Sequence, residues 1–381
     1  MTGGQEYRKI GNSGGVPVLL SYCPPVLLQK PIVNTRTLNV GLIGYGLGGA
    51  TFHAPFITRT PGLHLATVMT SDPARQAAVR ERYPDAGTAA NLDELLATKP
   101  DLVAISSPNA THYPLAKAAL EAGAHVVVDK PFAATALQAR ELGELATRVG
   151  RMAIPFQNRR WDGDYLTLRR LIDDGSLGDV HLFQSRFDRW RPIRKPGWCR
   201  PDSAALAENI VHDLGTHLID QALQLFGPVK RVYAELRRID PKVVTSDDMF
   251  ISLTHKSGVQ SHLGSTMAAA IPGPRYNVLG TKGAYIKEGV DPQEGILRAG
   301  GTPDSPGYGE EPESLWGIYG NGEKQERVRT VTGNYSPFYA GVARAILHGE
   351  APPVTVDQVA EGLDIIGAAF ESASSGETVT L

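Results

Sequence analysis

Short unbroken apolar runs alternate with helical periodicity through the first half of the chain. Residues 38–43 form an apolar run ending in glycines, and a helix is expected over about 50–60. A second strand is read at 63–69, helices at 73–83 and 92–98, and a buried strand at 102–105. A helix at 113–122 closes on Gly123, a strand follows at 125–128, and a helix at 136–149 is capped by Gly150. Strands of Val, Ile and Leu without polar alternation, each followed by a helix, predict a parallel sheet covered on both faces.

Past about Arg159 the rhythm changes. Segments 180–189, 231–237, 249–255, 258–266 and 276–279 read as strands with few helices between them, which predicts an open, largely antiparallel sheet. Helices are expected at 164–173, 215–226, 337–348 and 356–374, and 300–309 reads as a Gly/Pro-rich loop. The fold class expected is α/β: an N-terminal Rossmann domain with a parallel sheet, then a C-terminal α+β domain with a large, mostly antiparallel open sheet. The boundaries divide the chain into a flexible N-terminal extension (1–36), a dinucleotide-binding domain (37–158) and a substrate-binding and oligomerisation domain (159–381). The extension is rich in Gly, Pro, Ser and Asn, and its apolar stretch at 16–28 is broken by Pro17, Pro24 and Pro25 and too short for a membrane span.

Composition narrows the partners. A chain of 381 residues exceeds one hydrophobic core, and 42% hydrophobic content with a formal net charge of -2 argues against nucleic acid or a membrane as partner. Two cysteines, Cys23 and Cys199, cannot build a disulfide framework or a zinc cage, so a reducing, cytoplasmic setting is expected. An open sheet face predicts burial in a homodimer or homotetramer.

The first candidate chemistry is Gly44-Tyr45-Gly46-Leu47-Gly48-Gly49, which fits G-x-G-x-x-G between a strand and a helix. There Gly44 makes the tight turn, Gly46 lets the backbone approach a pyrophosphate, Gly49 admits close helix packing, and the helix N-terminus receives the phosphates. A glycine-rich turn of some other α/β fold is the competing reading. At the end of the second strand the expected ribose-binding acid is replaced by Thr70, followed by Ser71 and then Arg75. Hydroxyls with an arginine suit a 2′-phosphate, so NADP is favoured over NAD as cofactor. Asp72 is either a displaced ribose acid or the cap of the helix opening at Pro73.

Asp129-Lys130-Pro131 follows the strand at 125–128 directly, so Lys130 stands at the carboxyl edge of a parallel sheet, where such folds bind ligands. Asp213 and His217 are four apart at the start of an apolar helix and fall on one face as a carboxylate–imidazole pair. A capping role for Asp213 is the alternative. Zinc is disfavoured because His212 and His217 diverge by about 140° on a helix and no third ligand has metal spacing; no metal is expected.

Together these residues resemble the Gfo/Idh/MocA oxidoreductases, over about residues 38–381. The resemblance covers Gly44, Gly46 and Gly49, a Ser-Pro-Asn-x-x-His segment (Ser107, Asn109, His112), Asp129-Lys130-Pro131, and the Asp213/His217 pair. Further stretches, among them Asn158-Arg159-Arg160-Trp161-Asp162, look like the branch holding the NADP-dependent scyllo-inositol dehydrogenase. Two departures stand out: the family's glutamate before the lysine is Asp129 here, and the loop 202–209 replaces a glycine-rich stretch.

The resemblance implies a dehydrogenase acting on a hydroxyl-bearing carbon of a small polyol or sugar. By implication His217 is the base, Lys130 polarises the reacting oxygen, and Asp213 binds a neighbouring hydroxyl and orients His217. Ser107, Asn109, His112, Asp129 and Lys130 would flank the cofactor, while Asn158, Trp161, Asp213 and His217 would hold the substrate, with Trp161 as an aromatic face. A role as base suits an imidazole titrating near neutrality. The alternative within the family is a regulatory sensor that binds dinucleotide and sugar without catalysis.

Overall fold

The computed structural model describes residues 36–199 and 206–381. The expected extension therefore lies outside the described residues except for Arg36, as do residues 202–205 of the loop 202–209. Six parallel strands form the first sheet: β1 (Leu38–Ile43), β2 (Leu63–Met69), β3 (Gly87–Ala89), β4 (Leu102–Ile105), β5 (His125–Val128) and β6 (Ala153–Pro155). They lie in the order β3-β2-β1-β4-β5-β6, with helices α1 (Ala54–Ile57), α2 (Pro73–Arg82), α3 (Leu92–Ala97), α4 (His112–Glu121) and α5 (Ala136–Arg148) as crossovers. β1 pairs with β2 on one side and β4 on the other. The strand order therefore reverses between them, which opens a crevice at their carboxyl ends. β4 is buried throughout, as the unbroken apolar run requires.

The second sheet has nine strands: β7 (Val180–Arg186), β8 (Val229–Arg237), β9 (Asp248–His255), β10 (Gln260–Thr266), β11 (Tyr276–Gly280), β12 (Ala284–Lys287), β13 (Gly317–Gly320), β14 (Gln325–Val328) and β15 (Val379–Thr380). Their order is β14-β13-β12-β11-β7-β10-β9-β8-β15, and every pair is antiparallel except β7 with β10. The expected strands at 180–189 and 258–266 are shorter than read. β7 stops at Arg186, and Gly258 lies in a turn with φ +95° before β10.

α6 (Gly163–Asp173) leads from β6 to β7, and α7 (Thr216–Phe226), between β7 and β8 in the chain, packs on β7 and β10. A short α8 (Gln293–Arg298) follows β12. The final helices α9 (Ser336–His348) and α10 (Val356–Ser375) do not stay with the second sheet: α9 packs on α1, and α10 packs on both α5 and β8. α10 opens with a full capping box between Thr355 and Gln358.

Arg275 fastens this arrangement from inside. Its fully buried guanidinium reaches Asp164 Oδ2 at 3.2 Å, Ser185 Oγ at 2.7 Å and Gln221 Oε1 at 2.7 Å, tying α6, β7 and α7 together. Buried charge is tolerated because each end is paired and hydrogen-bonded. Replacing Arg275 with Ala strands the Asp164 carboxylate, and should lower unfolding stability by about 3–5 kcal/mol in a urea titration. A loss under about 1 kcal/mol would show that the network is not needed.

Candidate active site

Gly44 turns the chain at the end of β1 with φ +91°, where a Cβ would collide with the Ser106 carbonyl; a Cβ on Gly49 would collide with Gly44 itself. Both positions therefore require glycine. Gly46 faces open space, with Arg75 Nη1 3.7 Å from where its Cβ would be. The next helix begins with a π turn at Gly49–His53, closed by Ala54 N donating to Gly49 O. Gly48 at its N-cap supplies no side-chain acceptor, and Ala50 N already donates to Gly46 O at 3.0 Å, which leaves the amides before Ala50 for an anion.

From this turn extends a cavity of about 910 Å³, within the range of ligand sites. Gly44, Gly46, Leu47 and Gly48 line it, with Thr70, Ser71 and Arg75 at the end of β2. Ser107, Asn109 and His112 border it after β4, and Asp129, Lys130, Asn158, Asp213 and His217 line the remainder. Bare glycine backbone, uncapped amides and this volume fit a dinucleotide. Gly49 sits behind the wall as the packing glycine. Asp72 is the helix cap, its Oδ1 accepting from Ala74 N at 2.9 Å.

The loops around the cavity are cross-tied. His112 bridges Pro131 O at 2.8 Å and Ser107 O at 2.9 Å, while Asn109 Nδ2 donates to Ala207 O at 3.0 Å. Asp129 accepts from Ser106 Oγ at 2.9 Å and from Lys130 N at 2.7 Å, and stands 3.4 Å from His53 Nε2. His53 in turn meets the Tyr339 hydroxyl at 2.6 Å. The shorter Asp129 is thus held from three sides.

Lys130 reaches across from β5: its Nζ donates to Asp213 Oδ1 at 2.7 Å and to Asp213 O at 2.8 Å. Lys195 Nζ takes the other carboxylate oxygen, Oδ2, at 2.6 Å. Burial pushes the Asp213 carboxyl up, but these two ammonium groups outweigh it and hold it well below the usual carboxylate range. The expectation that Asp213 orients His217 is therefore corrected, because the lysines occupy its oxygens and His217 Nδ1 is buried without a partner. A π turn at Val211–Gly215 contains Asp213 and ends before His217, so ordinary four-residue helical spacing does not apply. The expectation of an imidazole near neutrality is corrected too. Burial, then the charges of Arg159 and Lys130, push His217 well below 6.5.

Trp161 is a further correction. Its ring packs edge-on against Phe338 at 5.9 Å and is not part of the cavity lining. Residues not anticipated from sequence do line it: Arg159, Arg189, Arg191, Lys195, Glu294 and Arg298. Arg159 lay in a segment already singled out, and Glu294 ends Asp291-Pro292-Gln293-Glu294, a stretch that looks like the same branch; the other four carry no motif.

A doubly wound sheet with a glycine-turn cavity, whose far wall comes from α7 and from the segments that follow β7 and β10, defines a dinucleotide-binding oxidoreductase. Residues 38–156 match the family described as "Oxidoreductase family, NAD-binding Rossmann fold", and 165–286 match the GFO/IDH/MocA C-terminal domain. The chain belongs to the GFO/IDH/MocA oxidoreductase family. It is 40% identical to the uncharacterized oxidoreductase YdgJ of Escherichia coli, across 90% of this chain and 99% of that one. It is 34% identical to IolW of Bacillus subtilis, a scyllo-inositol 2-dehydrogenase (NADP(+)), across 93% and 99%. The crystal structure of the oxidoreductase YvaA from Bacillus subtilis superposes with a TM-score of 0.86 at 33% identity, covering 91% of this chain and 99% of that one. Among the described residues no helix is long and apolar enough to cross a membrane.

His212 gives the site a stability signature. It anchors the π turn through Asn209 Oδ1 at 3.0 Å from its amide and through Ala134 O at 3.4 Å from its ring. Burial lowers its pKa from 6.5 to about 4. Below pH 6.5 the unfolded chain takes up this proton while the folded chain resists it, so stability is complete above 6.5 and falls toward pH 4. The cost across that window is on the order of 3 kcal/mol, and His212→Gln should flatten the slope of stability against pH there. Parallel slopes for the two proteins would contradict this.

Proposed function

We propose that this oxidoreductase transfers hydride between NADP and a hydroxyl-bearing carbon of a cyclic polyol or sugar of inositol type. The observation that carries the reading is the convergence of Lys130, Asp213 and His217 on the cavity that opens at the Gly44 turn. Similarity to IolW, and more distantly to the D-glucoside 3-dehydrogenase of Escherichia coli at 32% identity over 52% of this chain, supports it. In this reading residues 37–158 serve as the dinucleotide domain, and 159–381, which include α9 and α10, supply the substrate side.

Gly44, Gly46, Leu47 and Gly48 hold the pyrophosphate, with Gly49 behind them, and Thr70, Ser71 and Arg75 receive the 2′-phosphate. Ser107, Asn109, His112 and Asp129 shape the nicotinamide end, and Asn158 borders the substrate. When bound, the nicotinamide would supply the centre that accepts or returns hydride. The imidazole of His217 takes the hydroxyl proton as the C–H bond breaks. Lys130 spends two of its three donors on Asp213 and has one for the reacting oxygen. Asp213 keeps that ammonium in place.

His217→Ala should lower kcat/KM for polyol oxidation by about 10²–10⁴-fold with the far-ultraviolet circular dichroism unchanged. In the wild type, the acid limb of the same kinetic parameter should lie below the ordinary imidazole value of 6.5. Retention of the rate within about threefold would remove His217 from the mechanism. For the cofactor, titration with each dinucleotide should show tighter binding of NADP, and Arg75→Ala should cut that preference by about 10–100-fold. A wild type that prefers NAD would overturn the assignment of Thr70, Ser71 and Arg75.

A further inference from the structure

The cavity carries more positive charge than transfer of hydride from a neutral polyol requires. Lys130, Arg159, Arg189, Arg191, Lys195 and Arg298 line it, against the carboxylates of Asp129, Asp213 and Glu294. Those carboxylates are already engaged. Asp213 lies between Lys130 at 2.7 Å and Lys195 at 2.6 Å, and Glu294 between Arg159 at 2.5 Å and Arg298 at 3.2 Å. Asp129 is held by Ser106 and its neighbour His53.

Arg189 reaches Glu294 only at 3.8 Å, and among the described residues no carboxylate pairs with Arg191. The guanidiniums of Arg159, Arg189 and Arg275 crowd the ring of Phe187 at 4.7, 4.9 and 5.3 Å. Like charges gathered in a partly dry space raise one another's energy until an anion arrives. Burial first, and then Arg159 and Arg191, push the Arg189 pKa below its ordinary value against the pull of Glu294 and Asp213. The turn that would hold the cofactor phosphates has its own donors, the backbone amides before Ala50 and the Arg75 side chain.

We propose that the polyol or sugar handled here carries an anionic group, a carboxylate or a phosphate ester, received by Arg189 and Arg191. This rests on the hydride-transfer reading above and names the substrate class of the same site. Both side chains come from the segment that extends β7, where Arg189 N donates to Thr266 O and Arg191 N to Met267 O, at 2.8 and 3.0 Å. Their backbone is thereby fixed, so two planar forks are presented to one ligand group.

The test assays the full-length protein with NADP against compounds paired to differ only in the acidic group: an aldose and its uronate, an inositol and its monophosphate. The acidic member of at least one pair should have a kcat/KM about tenfold or more above its neutral partner, and which pair responds identifies carboxylate or phosphate. That advantage should shrink as salt rises from about 20 to 500 mM. Arg189→Gln and Arg191→Gln should each raise KM for the acid by about 10–100-fold with a smaller change in kcat, and Arg191→Lys should recover part of the loss. Neutral members preferred in every pair, or Gln variants that weaken acid and neutral members equally, overturn the proposal and leave hydride transfer standing. No turnover of any compound by protein that still binds NADP, seen by fluorescence, overturns the hydride-transfer reading and this proposal with it.

Discussion

The clamp on Asp213 is the constraint around which the molecule is arranged. Its carboxylate is held by Lys130, which leaves the end of β5 in the parallel sheet, and by Lys195, which follows β7 of the other sheet. A carboxylate withdrawn from water is costly unless charge-assisted hydrogen bonds replace its hydration. Here two ammonium groups do so, and Lys130 adds a bond to the main-chain oxygen of the same residue. The interaction therefore joins the two sheets at the cavity wall. It also fixes the direction of a lysine that would otherwise be a flexible surface chain.

What surrounds that clamp explains why the two halves hold together. Asp129, adjacent to Lys130, is tied through His53 to Tyr339 of α9, and α10 lies on both α5 and β8. The C-terminal helices thus brace the parallel-sheet half through α1 and α5. An oxidoreductase cavity between two sheets needs such a brace, because a 1 Å displacement between the hydride carrier and the acid/base groups is costly to rate.

The parallel half was legible in the sequence for a simple reason. Strands buried on both faces read as continuous runs, as in Leu102–Ile105 and His125–Val128, and glycines at 44 and 49 mark backbone that no other residue fits. The edge strands β3 and β6 are three residues each and carry no such run. In the other sheet, Lys287 on β12 is fully buried only because Glu311, 24 positions on, meets it at 2.9 Å, a pairing with no local signature. β14 (Gln325–Val328) is largely exposed and polar. Lys130, Asp213 and His217 could be picked out individually, whereas Arg189, Arg191 and Lys195 depend on how the segment after β7 folds across β10. Trp161 misled because residue type suggested sugar stacking while its backbone turn delivers the ring to Phe338.

The two π turns account for the remaining disagreement between spacing and geometry. In an ordinary helix Asp213 and His217 would be neighbours on one face. The turn closed by Thr216 N on Val211 O adds a residue before His217 and separates their environments. Had Asp213 bonded to His217, its charge would have favoured the imidazolium, as an adjacent carboxylate does. With Asp213 given instead to the two lysines, burial first, and then the charges of Arg159 and Lys130, favour the neutral ring of His217. A neutral imidazole accepts a proton, so the same distortion that defeats helical periodicity equips the site for the oxidative direction of the proposed reaction. The matching π turn at Gly49–His53 sets His53 against Asp129, behind Lys130. Both departures from regular helix therefore occur where a charged group of the cavity must be aimed.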